Sequence, residues 1–211
     1  MVNKTNISIL APVIPLILAM GFFITGCSDD DNNSTGFEQD ILERIFALGK
    51  DNLWHYQIYE DGDSTGSYEK YCRSYRLHNT YKIFQITKTE SNYVSEVIVG
   101  DQGYYRYDEG ADGLSEPALW WKFPTETGDT YSSLGYHFTV ISTDSTTTVP
   151  AGTFDGCYVY QYYFLADLSW DPYYTTRFIK PTIGEVYSKV DYIVSSRIVE
   201  HKLIGYDISG D

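Results

Sequence analysis

The sequence predicts a mainly β protein: a single curved antiparallel sheet, either a half-barrel or a two-layer sandwich, with a short N-terminal helix. Three observations predict it. From Leu53 onward, short runs rich in Tyr, Val, Ile and Thr alternate with Gly, Asn and Asp turn signals. Twenty-one tyrosines lift aromatic residues to 17% of the chain. Tyrosine, with an apolar body and a wet tip, suits a half-buried pleated surface. Only residues 35–48 carry apolar residues at helical spacing, at Phe37, Ile41, Ile45 and Leu48.

In that helix Thr35 and Glu38 stand three apart, as a capping box needs, and Gly49 is placed to stop it. So short a helix requires a sheet to pack on. The expected strands then run Leu53–Tyr59, Tyr68–Leu77, Tyr81–Thr87, Tyr93–Val99 and Tyr104–Tyr107, the last two joined by the turn Gly100-Asp101-Gln102-Gly103. After a loop from Asp108 to Pro117 come Ala118–Phe123, Tyr136–Ser142 and the short Thr146–Val149, which ends at Pro150-Ala151-Gly152. Cys157–Phe164, a loop from Leu165 to Tyr173, Thr175–Lys180, Gly184–Val190 and Ser196–Tyr206 complete the chain. About ten strands with hairpin connections curl or fold over on themselves, and the helix is a candidate plug for the concave side. Within Cys157–Phe164, alternation puts Tyr158, Tyr160, Tyr162 and Phe164 on one face and Cys157, Val159 and Gln161 on the other.

The N-terminus is of a different kind. Lys4 precedes an uncharged apolar run from Ile7 to Thr25, and residues 1–26 contain no acid. The run ends in Ile24-Thr25-Gly26-Cys27, which reads as a lipobox: an export signal cut after Gly26, with Cys27 acylated. A transmembrane span of about 20 residues is the rival reading. Pro12 and Pro15 interrupt such a helix, and a span has no use for the small residue before cysteine. The division that follows is a signal peptide at 1–26, an acidic tether at 27–36 and an antiparallel β domain at 37–211. The tether begins Ser28-Asp29-Asp30-Asp31 and contains nothing to bury. Its acidic run resembles the sorting tail of surface-exposed lipoproteins in the Bacteroides lineage.

The expected location is therefore outside the cytoplasm, lipid-anchored in a bacterial cell envelope, at the outer membrane and facing the periplasm or the surface. The expected partner is that membrane, held stably once Cys27 carries more than one acyl chain. A net charge of −14, about −15 without Lys4, repels phosphate backbones and excludes nucleic acid as a partner. Cys72 and Cys157 would meet an oxidising compartment after export; a disulfide and two separate buried thiols are equally compatible with their spacing.

Several segments resemble a broad set of bacterial lipoproteins. Thr148-Val149-Pro150-Ala151-Gly152-Thr153-Phe154 with Cys157 is similar to their V-P-A-G-T-F…C segment. Leu119 to Pro124 with Gly128-Asp129 is similar to their L-x-F-P…G-D stretch. Phe178 to Val186 resembles Y-x-A-P-G-I-G-L-V, and Leu203 to Tyr206 their closing L-x-x-Y. The resemblance covers Phe46 to Tyr206 and departs at Lys180, Thr182 and Glu185, the last standing where an apolar residue is usual. It implies a curved antiparallel sheet like that of lipoprotein carriers, and it brings no catalytic residues.

The chemistry-bearing residues form no motif. Asp61-Gly62-Asp63-Ser64-Thr65-Gly66 begins like a calcium loop, but position 12 is Cys72, so a hairpin turn is the better reading. Asp108–Asp112 is a second acidic loop. His55, His78, His137 and His201 fall on separate predicted strands and make no zinc spacing. There is no nucleophile elbow and no P-loop. We therefore expect no enzyme, no metal and no cofactor, and rank a structural or accessory envelope domain first. A hydrophobic or lipid ligand on the concave face ranks second, lined by Tyr158, Tyr160, Tyr162, Phe164, Trp120 and Trp170, with Trp121 a further candidate. Glycan stacking on exposed Trp170, Tyr173 and Tyr174 ranks third. An unidentified envelope protein is the other candidate partner.

Overall fold

The computed structural model describes residues 43–78, 81–89, 94–100, 102–107, 117–165 and 171–209. The expected signal, the tether with Cys27, the helix positions before 43, the acidic loop 108–112 and Trp170 lie outside the described residues.

Twelve strands follow one another along the chain: β1 Leu53–Glu60, β2 Asp63–His78, β3 Tyr81–Lys88, β4 Val94–Gly100, β5 Gly103–Tyr107 and β6 Ala118–Lys122, then β7 Thr130–Ser133, β8 Tyr136–Val149, β9 Gly152–Phe164, β10 Tyr173–Lys180, β11 Gly184–Tyr192 and β12 Ile198–Asp207. They form one antiparallel sheet in the order β6-β5-β4-β3-β2-β1-β12-β11-β10-β9-β8-β7. This is an up-and-down meander whose last strand returns to pair with the first, so the ring of strands is broken at one place, between β6 and β7. The expected single curved sheet is observed, as a nearly closed barrel. Bulges bend the long strands, at Cys72/Ser74 on β2 and at three places between Val140 and Thr147 on β8.

Side chains span the break. The Tyr131 hydroxyl donates to the Trp120 carbonyl at 3.0 Å and accepts from the Lys122 amide at 3.3 Å. Tyr160 on β9 donates to the Lys122 carbonyl at 2.8 Å. Two edges that would otherwise present unpaired backbone are thereby tied together without a ladder.

The turns follow from local chemistry. Between β1 and β2, Asp61 (φ 50) and Gly62 (φ 94) form a two-residue turn with both φ positive, the geometry that suits the twist of a hairpin. The hairpin reading of Asp61–Gly66 is the one observed. Gly103 opens β5 at φ 130, where a Cβ would lie 2.0 Å from the Trp121 carbonyl oxygen, so only glycine fits.

Three expectations are corrected. Tyr136–Ser142 and Thr146–Val149 are one strand, because the polar residues between them stay in the ladder and are bulged rather than looped out. Thr130–Ser133 is a strand that its polar sequence concealed. Among the described residues the helix comprises only residues 43–45. It ends at Ala47, not Gly49: Ala47 sits at φ 53, its amide reaches the Arg44 carbonyl at 3.1 Å, and the Leu48 amide reaches the Glu43 carbonyl at 2.8 Å. That is a Schellman stop. It turns Phe46, Ala47 and Leu48 into the barrel mouth, where all three are buried. Asn52 fixes this plug, donating to the Ala47 carbonyl at 2.7 Å and accepting from the Ser209 amide at 2.9 Å.

Candidate functional site

The inward face of the sheet is divided into two parts. On β6 to β9 it is aromatic and packed. Tyr160, Tyr162, Phe138, Trp120 and Trp121 are all at most 5% exposed. Trp120 meets Tyr136, Phe138 and Tyr162 edge-on at 5.5–5.6 Å, and Trp121 lies 4.9 Å from Tyr160. Tyr158 packs on Phe123 at 5.4 Å and Phe164 on Tyr136 at 5.0 Å. The stripe anticipated from alternation does face inward, and the protein's own rings fill the space before it. Of the residues expected to line a ligand, Trp120 and the further candidate Trp121 border an open cavity.

The second part is open and charged. Two connected lobes, of about 120 Å³ and about 240 Å³, share Lys70, Ile86, Ser95, Arg106, Arg177 and Glu185 as walls. The smaller lobe runs up against the Phe46 plug; the larger is bounded in addition by Lys88, Ser188 and His201. Strand alternation explains how these groups arrive. Lys70 follows Tyr68 and precedes Cys72 at the inward positions of β2, and the register sets Lys70 directly opposite Lys88. Arg106 is two residues from Tyr104 on β5. Arg177 pairs with Tyr160 on one side and Ser188 on the other, both inward.

Glu185 organises the centre. Its Oε2 accepts from Arg177 Nη1 at 2.5 Å and lies 3.7 Å from Lys70 Nζ. Burial alone would raise this carboxyl, but Arg177, and after it Lys70, overcome that and hold it at about 2. Lys70 is pulled the other way: burial lowers its pKa, Glu185 opposes, and Arg177, Arg106 and Lys88 lower it further. His201, whose Nδ1 lies 3.1 Å from the Tyr68 hydroxyl, is lowered to about 4, first by burial, and is neutral at pH 7. Aromatic rings back the cations: Lys88 stands 3.9 Å from the Tyr68 ring centre, Arg106 4.9 Å from Trp120 and Lys70 5.5 Å from Tyr56.

Cys72 and Cys157 are free buried thiols. Four strands separate β2 from β9 in the sheet order, so the pairing that the sequence left open is not made. Burial raises both, Cys72 to about 12, which leaves them poor nucleophiles. His55 pairs with Glu69 at 3.1 Å, far along the sheet from His137 on β8. Among the described residues no group of three His, Cys, Asp or Glu converges as a metal site needs. No motif in the sequence marks the lysines or the arginines of the cavity, and Glu185 stands out there only as out of pattern. A basic residue at the inward phase of a strand, as in Tyr68-Glu69-Lys70 or Thr175-Thr176-Arg177, was the available signal.

No protein-family profile matches the sequence, and no curated protein matches it. Among solved structures, a candidate exported protein with a YMCC-like fold from Bacteroides fragilis is similar over 77% of this chain and 98% of its own, with 12% identity and a TM-score of 0.52. A candidate lipoprotein from Parabacteroides distasonis covers the same shares at 12% identity and a TM-score of 0.46. At this identity the first likeness is one of fold: the chain shares the architecture of the Bacteroides fragilis protein.

Proposed function

We propose that this chain is an exported lipoprotein, cut before Cys27 and held by lipid in a bacterial outer membrane, and that its β domain is a non-catalytic accessory domain of the envelope. The observation that carries the second half is the filled aromatic face. Trp120, Trp121, Phe138, Tyr160 and Tyr162 spend most of their surface on one another, which leaves this face, among the described residues, little room for an acyl chain. The larger lobe beside it is walled in part by Lys70, Lys88, Arg106 and Arg177. That speaks against a hydrophobic ligand, since stranding these charges against a hydrocarbon costs several kcal/mol each. The first half is supported by the Ile24-Thr25-Gly26-Cys27 ending and by the fold shared with a candidate exported protein.

The test is Cys27→Ala in a bacterial host, followed by sizing and detergent-phase partitioning. The reading predicts that the wild-type chain is shortened and enters the detergent phase, and that the variant stays unprocessed without added acyl mass. A variant of unchanged size and partitioning would overturn it.

A further inference from the structure

We propose that the chamber between Lys70, Lys88 and Arg177 binds a phosphate-class oxyanion, held by the two ammonium groups and the guanidinium. The inference stands on the cavity itself and is independent of the anchoring at Cys27.

The first support is charge placed against the trend of the molecule. The chain carries −14 overall, yet among the described residues this chamber is lined by Lys70, Lys88, Arg106 and Arg177 with Glu185 as the carboxylate. The second is register. Lys70 and Lys88 are direct cross-strand neighbours on one face, an arrangement that weakens a sheet when nothing lies between the like charges. Lys88 makes no ion pair among the described residues, and its ammonium rests on the Tyr68 ring instead. A ring orients a cation without neutralising it, so the Lys88 charge stays available to a ligand.

The third support is geometry suited to oxygen. Glu185 occupies Arg177 Nη1 at 2.5 Å, which holds the guanidinium plane in place beside the lobe. Ser95 and Ser188 add hydroxyl donors to the same walls. The larger lobe, about 240 Å³, is below the several hundred Å³ of a typical drug-sized pocket and accommodates a small oxyanion with its waters. About a quarter of each of the Lys70 and Arg177 side chains remains accessible, 27% and 26%, so a solute reaches them. Burial first, and then Arg177, Arg106 and Lys88 against the opposing Glu185, lower the Lys70 pKa, and an anion in the lobe would act with Glu185 to keep its charge.

The test is calorimetric titration of the full-length chain in neutral detergent at pH 7 with inorganic phosphate, at fixed ionic strength. We expect one saturable site and a rise in Tm. Lys88→Gln removes the like-charge pair, so it should raise Tm without phosphate while weakening phosphate binding at least about tenfold. A role in folding alone would not give that split. A second arm offers the Cys27→Ala chain vesicles of phosphatidylglycerol or phosphatidylcholine. Displacement of phosphate by the anionic vesicles alone assigns the oxyanion to a lipid headgroup, and displacement by neither assigns it to a free solute; both outcomes support the site. Absence of saturable binding up to about 10 mM phosphate, or binding unchanged in Lys88→Gln, overturns it.

Discussion

Replacing Glu185 with glutamine keeps its shape and one acceptor oxygen but removes the carboxylate at the centre of the cavity. Its folded pKa of about 2, against an ordinary value of 4.5, corresponds at about 1.4 kcal/mol per pH unit to roughly 3 kcal/mol of stability at neutral pH. Loss of one partner from a buried ion pair gives about 3–5 kcal/mol by an independent route, and the acceptor retained for Arg177 favours the lower end. Because the folded pKa is depressed, this stability is present above pH 4.5 and is lost as the pH falls through about 2. Urea unfolding, followed by tryptophan fluorescence, should therefore place Glu185→Gln about 1–2 M below wild type at pH 7, for a slope near 2 kcal/mol/M. The gap should narrow as the pH is lowered from 4.5. A difference under about 1 kcal/mol at pH 7, or a gap that does not change between pH 5 and pH 3, would refute the reasoning.

Three further outcomes follow from the same structure. Gly103→Ala places a Cβ 2.0 Å from the Trp121 carbonyl at φ 130, and should lower stability by more than about 3 kcal/mol or prevent folding, read by circular dichroism. Tyr131→Phe removes the hydroxyl that ties Trp120 and Lys122 across the break in the barrel, and should cost about 1–2 kcal/mol in urea unfolding, with the exposed Thr130→Ala on the same strand as the control. His201 is held neutral by burial, so the unfolded chain takes its proton near pH 6.5 and the folded chain only near 4. Stability is full above pH 6.5 and falls toward pH 4 by up to about 3 kcal/mol, and His201→Gln should flatten that slope.

The strands were legible where side chains alternate strongly. Tyr158, Tyr160 and Tyr162 announce both β9 and its inward face. Thr130-Tyr131-Ser132-Ser133 carries no such contrast, because its pairing with β8 is set by the returning chain and by one tyrosine hydroxyl. Residue type places the helix stop at Gly49, whereas Ala47 takes the left-handed position because burial of Phe46 and Leu48 in the barrel mouth requires the turn there. The cavity was the least legible part. Lys70, Lys88, Arg106, Arg177 and Glu185 come from five strands, and β12 must pair with β1 before β2 and β11 face a common interior. Each basic residue alone reads as a solvated side chain. Only the closure of the sheet converts their shared phase into a chamber.

The central claim is that a cationic chamber lies inside an acidic body, with packed tryptophans among its walls. Quenching of tryptophan fluorescence by iodide and by caesium tests it most directly, in a Trp170→Phe chain so that Trp54, Trp120 and Trp121, all lining the smaller lobe, report. The account predicts stronger quenching by iodide, relieved by phosphate. Stronger quenching by caesium, as the net charge of −14 would dictate for a surface without such a chamber, would contradict it.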